Sequence, residues 1–260
     1  SIFEQQINQR TRNKYSVSNL KFRDKSDRVI VKMLVDAQKH INNSSHDKAY
    51  EILQEAHRLA PDYFEVARVM AFFHQKSGNL NDAREQYELA IVLSPNTPQL
   101  HFWFGKFMLH QEDNTDEALI HFEEAYKLDS DSVDVGLFLA RCYMFKRQFD
   151  YSRNILNELK SKLDVNHEAN YKVYLDTDIQ ILYRTADNLA SIGEYSQAMD
   201  ALEDMMVAFD QLPKKFKDRY MRIKLNKCEY TLSKIAKNGG NQLKGRAEAF
   251  RVWLNAESYN

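Results

Sequence analysis

The chain has 260 residues, with 36 Lys+Arg against 37 Asp+Glu, a 43% hydrophobic fraction, and only 7 Gly and 4 Pro. That Gly plus Pro content is about a third of the roughly 12% of an average protein. It excludes a sandwich or barrel that turns every ten residues or so and leaves long helices joined by short loops. The apolar content is enough for a core and excludes global disorder, while no apolar run approaches the ~18 residues of a membrane span.

In chain order, residues 10–28 hold seven basic and two acidic residues and open the chain as a basic arm, 1–28, that fits none of the pattern that follows. Its start, Ser1-Ile2-Phe3-Glu4, has neither the basic nor the apolar region of a secretory signal. With Cys142 and Cys228 as the only cysteines, no disulfide framework is expected and a cytoplasmic setting is. The missing initiator Met suggests a piece of a longer chain.

From about residue 30 the sequence repeats itself. Ala49–Ala56, Ala83–Ala90 and Ala118–Ala125 each read small, then large apolar four residues on, then small three further, at intervals of 34 and 35 residues. Pro61 and Pro95 follow the first two blocks, and Ser130 takes that place after the third. Upstream of each block lies a second apolar stripe of period 3.6, with Ala67, Met70, Ala71 and His74 in one unit and His101, Phe104, Gly105 and Met108 in the next. Ser77-Gly78-Asn79 separates two such helices, with Gly78 suited to a position of positive φ. Beyond 163 the period slips: about twelve extra residues lengthen a helix over 167–191, Ser191–Ala198 recreates the turn, Pro213 opens a helix to about Asn238, and 242–256 closes the chain as a helix.

These blocks resemble the tetratricopeptide repeat, a helix–turn–helix unit of 34 residues. The resemblance rests on Ala71/Gly105/Ala140, Ala83/Ala118/Ser152, Tyr87/Phe122/Leu156, Ala56/Ala90/Ala125 and the two prolines. The consensus Trp is absent, and Trp103 lies one residue past its column. The resemblance covers four units over 29–163 (30–63, 64–97, 98–132 and 133–163) and two divergent hairpins over 164–258. It implies an all-α fold, a right-handed superhelical solenoid of about six hairpins with one continuous core. It also implies a concave groove lined by the first helix of each unit. There it places Arg68, Phe72, Gln75 and Lys76, then Phe102, Lys106, Leu109 and His110, then Leu137, Arg141, Met144 and Phe145. Cations beside aromatics suit an extended peptide or a protein partner. The Lys and Asn of chaperone-tail clamps are replaced in the first unit by Leu34 and Gln38, which argues against that ligand.

No catalytic constellation accompanies the repeats. Gly239–Arg246 lacks the spacing of a phosphate-binding loop, no His-Glu-x-x-His is present and the two Cys are 86 residues apart. Neither enzyme activity, cofactor nor metal is expected. His74 reads as a half-buried packing residue and Cys142 as a small buried hydrophobe. Glu112-Asp113…Asp116-Glu117 reads as charge placed at a helix start.

The net charge of −1 is a sum of opposed blocks: −14 over 47–210 and +9 over 214–246. In the second block Phe216, Tyr220, Ile223, Leu232 and Ile235 would form one stripe, leaving Lys215, Arg219, Arg222 and Lys237 as a basic patch. The expected function is a protein-binding scaffold. One alternative is the C-terminal sensor region of a larger bacterial STAND-type signalling ATPase, in antiviral defence or signalling. The arm Tyr15–Arg28 resembles the joint before the repeats in such proteins, and neighbouring domains would then be partners too. A second, ranked lower, is nucleic-acid binding through the basic helix 214–237. No membrane partner is expected.

Overall fold

A computed structural model describes residues 27–164, 166–218, 222 and 225–258. Most of the predicted arm therefore lies outside the described residues, as do Arg219, Tyr220 and Ile223 of the predicted basic helix. Among the described residues the structure is all-α, with twelve α-helices and no strand. They are α1 (Asp27–Asn42), α2 (His46–Leu59), α3 (Phe64–Lys76), α4 (Leu80–Leu93), α5 (Pro98–Gln111) and α6 (Thr115–Leu128). There follow α7 (Val133–Phe145), α8 (Phe149–Lys160), α9 (Glu168–Ser191), α10 (Tyr195–Asp210), α11 (Glu229–Asn238) and α12 (Asn241–Ser258). None is long and apolar enough to cross a membrane. The chain divides into two compact units, Ser1–Val135 and Gly136–Asn260.

One backbone device closes every hairpin. Ser44, Gly78, Asp113, Arg147, Gly193 and Gly240 all have positive φ, between 52° and 86°. Each sits between the two helices of a pair. At four of them the residue just after the positive-φ position reaches back five positions: Ser45 N–H to the His40 carbonyl at 2.8 Å, and Asn79 to His74, Gln148 to Tyr143 and Glu194 to Leu189 at 2.9 Å. That bond satisfies a carbonyl that the ending helix leaves open, and it reverses the chain in few residues. The exits from the second helices repeat as well. Ala60, Ser94 and Asp129 share φ near −143° and ψ near 70°, and donate to the carbonyls of Ala56, Ala90 and Ala125.

In the first unit the small columns let helices approach closely. A methyl on Gly105 would lie 2.7 Å from the Phe122 ring, so α5 and α6 are in contact without a side chain between them. Tyr87 of α4 packs on Phe104 and Phe107 of α5, with centroids 5.6 and 5.2 Å apart, and its hydroxyl donates to Gln75 Oε1 at 2.8 Å. Ile30, Leu34, Leu53, Tyr63, Val66 and Val69 build the core of α1–α3. The acidic run after α5 has an internal role. Arg84 holds Glu112 at 2.6 Å and Glu117 at 2.5 Å, while the Asn114 side chain accepts from Glu117 N–H to cap α6.

In the second unit a methyl on Gly136 would meet the Leu159 side chain at 2.6 Å, Ser152 Oγ donates to the Ala140 carbonyl, and Tyr143 stacks on Tyr151. The lengthened helix is α9, with 24 residues. The expected continuous helix from Pro213 to Asn238 is corrected. The chain instead makes single 3₁₀ turns at Lys214–Phe216 and Asn226–Cys228 before α11 begins. The break lets Phe216 bury itself beside Tyr171 of α9, with ring centroids 6.2 Å apart.

Candidate interaction surfaces on the first helices

α3, α5 and α7 carry the twelve predicted groove residues, and the structure divides them into three kinds. Phe102, Leu137 and Met144 are fully buried and offer nothing to a ligand, which corrects their assignment. The physical reason is that a helix buried on more than one side spends its groove-side apolar positions on packing. Phe102, for example, lies against Phe122, with ring centroids 5.7 Å apart.

Arg68 and Gln75 are part-buried and already engaged. Arg68 Nε donates to Glu65 Oε2 at 2.6 Å, and only 11% of its side chain is exposed. Gln75 accepts the Tyr87 hydroxyl. The first of the four predicted groove Lys and Arg residues is therefore neutralised inside the unit.

The remaining residues gather into two aromatic–cation clusters, one in each unit. In the first unit Phe72 of α3 meets Trp103 of α5 edge to face, with centroids 6.4 Å apart. Lys76 Nζ lies 5.4 Å from the Phe72 ring, and Lys106 Nζ lies 5.5 Å from the Trp103 ring. Leu109 is half-buried and His110 exposed. In the second unit Phe145, at the end of α7, is 54% exposed. Two guanidinium groups cover it: Arg141 from one turn earlier in α7 and Arg184 from α9, each 5.5 Å from the ring centroid. Arg184 also lies 5.7 Å from the Tyr183 ring, and its Nε is buried without a hydrogen-bond partner. Guanidinium groups stack on aromatic faces while keeping their N–H edges available for bidentate acceptors.

Trp103 and Arg184 are the residues that repeat columns miss. Trp103 stands one position out of register with the consensus Trp, yet that offset puts it against Phe72. Arg184 lies in the lengthened α9, where column counting has no frame.

Of the predicted basic patch, the described residues stand in different settings. Lys215 pairs with Glu168, Arg222 is half-buried, Lys237 is exposed on α11, and Arg219 lies outside the described residues. The single-residue readings are clearer. His74 is half-buried, with its pKa lowered by burial against the opposing charge of Asp82. Burial pushes both the Cys142 and Cys228 thiols up to about 12, which keeps them protonated and unreactive at neutral pH. Among the described residues no three His, Cys, Asp or Glu side chains converge as a metal site.

With this geometry in hand, the family model described as tetratricopeptide repeat matches residues 109–171. The chain carries tetratricopeptide repeats, and the solved structures it is similar to share that fold. One is a crystal structure of MamA protein, at 14% identity, covering 70% of this chain and 92% of that one with a TM-score of 0.51. Another is PilF of Pseudomonas aeruginosa, at 16% identity, covering 87% and 98% with a TM-score of 0.50. At these identities the likeness concerns the fold alone. No curated protein matches the sequence.

Proposed function

We propose that the chain is a non-catalytic interaction scaffold, taking an extended peptide or protein segment along the exposed faces of its first helices. The repeat fold supports the scaffold reading. The observation that carries the binding reading is the bracketing of exposed Phe145 by Arg141 and Arg184. An open phenyl ring under two like charges adds little to folding, because exposed cation–π contacts are worth about 0.5–1 kcal/mol. The same residue types, aromatic and Arg, dominate the energetic centres of binding surfaces. In the first unit, Phe72 and Trp103 with Lys76 and Lys106 supply a second surface of the same chemistry.

The test is selection of a random peptide display library on the full chain, followed by affinity measurement. Phe145→Ala combined with Arg184→Ala is expected to weaken a selected peptide by about tenfold to a hundredfold, the range of hot-spot losses. Selection of no peptide, or selected peptides indifferent to the double substitution, would refute the assignment.

A further inference from the structure

Several cations of the second unit are paired with acids. Arg153, Lys172, Lys215 and Arg246 each have a carboxylate: Asp178, Asp218, Glu168, and Asp200 with Glu203. At the mouth of the α11–α12 hairpin the pattern changes. A surface hollow of about 520 Å³ is lined there by Ser233, Lys237, Gly240, Asn241, Lys244 and Arg251, with no acidic residue in its wall. Arg251 is held in place by Glu229 at 3.4 Å and the Ser233 hydroxyl at 3.2 Å. Lys237 and Lys244 have no carboxylate partner among the described residues and face the same space from different helices.

We infer that this hollow is a binding site for a phosphate monoester. Charge decides between anions. Glu229 offsets Arg251, so Lys237 and Lys244 leave two positive charges uncompensated. A phosphate monoester, carrying about −1.5 to −2 near neutral pH, balances them, whereas a carboxylate leaves one over. Donors decide likewise. Two ammonium groups and a guanidinium edge approaching from separate sides suit the three terminal oxygens of a phosphate better than the two of a carboxylate. The volume lies within the range of small-ligand sites and exceeds that of the anion alone, leaving room for the group that bears it. Low-molecular-weight phosphates and phosphorylated side chains share this chemistry. The hollow is separate from the Phe145 cluster, so this assignment does not depend on the peptide-binding reading.

The experiment is isothermal titration of the full chain at low ionic strength with inorganic phosphate, acetate, O-phosphoserine and a short phosphoserine peptide. The same ligands are then tested on Lys237→Gln, Lys244→Gln and the double variant. These side chains are exposed, so folding is retained, and circular dichroism checks it. Phosphate is expected to bind with one-to-one stoichiometry and more tightly than acetate. Each substitution should weaken it about tenfold to thirtyfold, the worth of one positive charge about 4 Å in water from an anion of about −1.5 to −2. Tighter binding of O-phosphoserine than of its peptide assigns a low-molecular-weight ligand, and the reverse order assigns a phosphorylated protein segment. The inference is overturned if phosphate binding is absent at millimolar concentration, if acetate binds equally well, or if the double variant binds phosphate unchanged. It is overturned equally if single-stranded RNA binds through these lysines while the monoesters do not.

Discussion

Three of the six residues at the hairpin reversals are not glycine: Ser44, Asp113 and Arg147 hold the left-handed conformation with a side chain in place. That conformation costs an L-residue roughly 1–2 kcal/mol, partly balanced by the greater freedom a glycine loses on folding. Ser44→Gly is therefore expected to stabilise the chain by about 0.5–1 kcal/mol, and Gly78→Ala to destabilise it by about 1 kcal/mol, both by chemical denaturation. Destabilisation by Ser44→Gly, or no loss of stability in Gly78→Ala, would show that φ does not govern the turn. A second residue-scale consequence concerns pH. His121 lies 3.3 Å from His101, Nδ1 to Nδ1, and His101 Nε2 is 2.8 Å from the Pro95 carbonyl. The neutral pair is satisfied if His101 donates to Pro95 and His121 donates to His101. Burial first, and then the His101 and Arg84 charges, lower the His121 pKa from 6.5, against the pull of Glu117 and Glu124. Since the folded pKa is the lower one, the stabilising contribution is complete above pH 6.5 and is lost as the pH falls below it. Unfolding free energy measured at stepwise lower pH should decline there. It should decline less steeply in His121→Asn, which keeps a donor for His101 but does not titrate; His74, lowered in the same direction, keeps part of the slope. Parallel slopes in the two proteins would remove His121 from the explanation.

At the scale of elements, α5 with α6 and α7 with α8 approach each other at glycines, where a side chain is missing. Gly105 is the sharpest case, because the added methyl would meet a fully buried ring with no free space to move into. Gly105→Ala raises helix propensity by about 1 kcal/mol in isolation. In place it is expected to lower stability by about 1–3 kcal/mol through overpacking. A thermal melt that rises would mean α5 and α6 yield more readily than their contact suggests. How much of this was legible beforehand depends on the element. The Ala, Gly and Pro columns were visible because close approach and chain reversal leave few residue choices at fixed intervals. The lengthened α9 was visible because the turn at Gly193 recurs after it. The break before α11 was not, since Phe216, Leu232 and Ile235 fit one helical stripe on paper and only the tertiary pocket beside Tyr171 decides otherwise. Among groove positions the columns could name a helix face but not its depth, so Phe102, Leu137 and Met144 appeared beside residues that do reach the surface. Arg184 carried no periodic signal at all.

For the whole molecule, a net charge of −1 conceals a division of labour between acids and bases. Within the acidic stretch much of the charge is consumed locally, as when Arg84 gathers Glu112 and Glu117 or Glu65 neutralises Arg68. The cations left over are therefore more informative than the total. Arg184 stands over an exposed ring, and Lys237 and Lys244 share a hollow. Exposed apolar residues also occur on second helices, Val92 of α4 at 76% and Ile120 of α6 at 63%. A scaffold that binds through its first helices must distinguish these two surfaces. Amide and aromatic chemical-shift mapping of the full chain with a selected peptide makes that distinction most directly. The account predicts perturbations at Phe72, Trp103 or Phe145 and Arg184, with Val92 and Ile120 unmoved; shifts centred on Val92 and Ile120, with the first-helix rings silent, would contradict it.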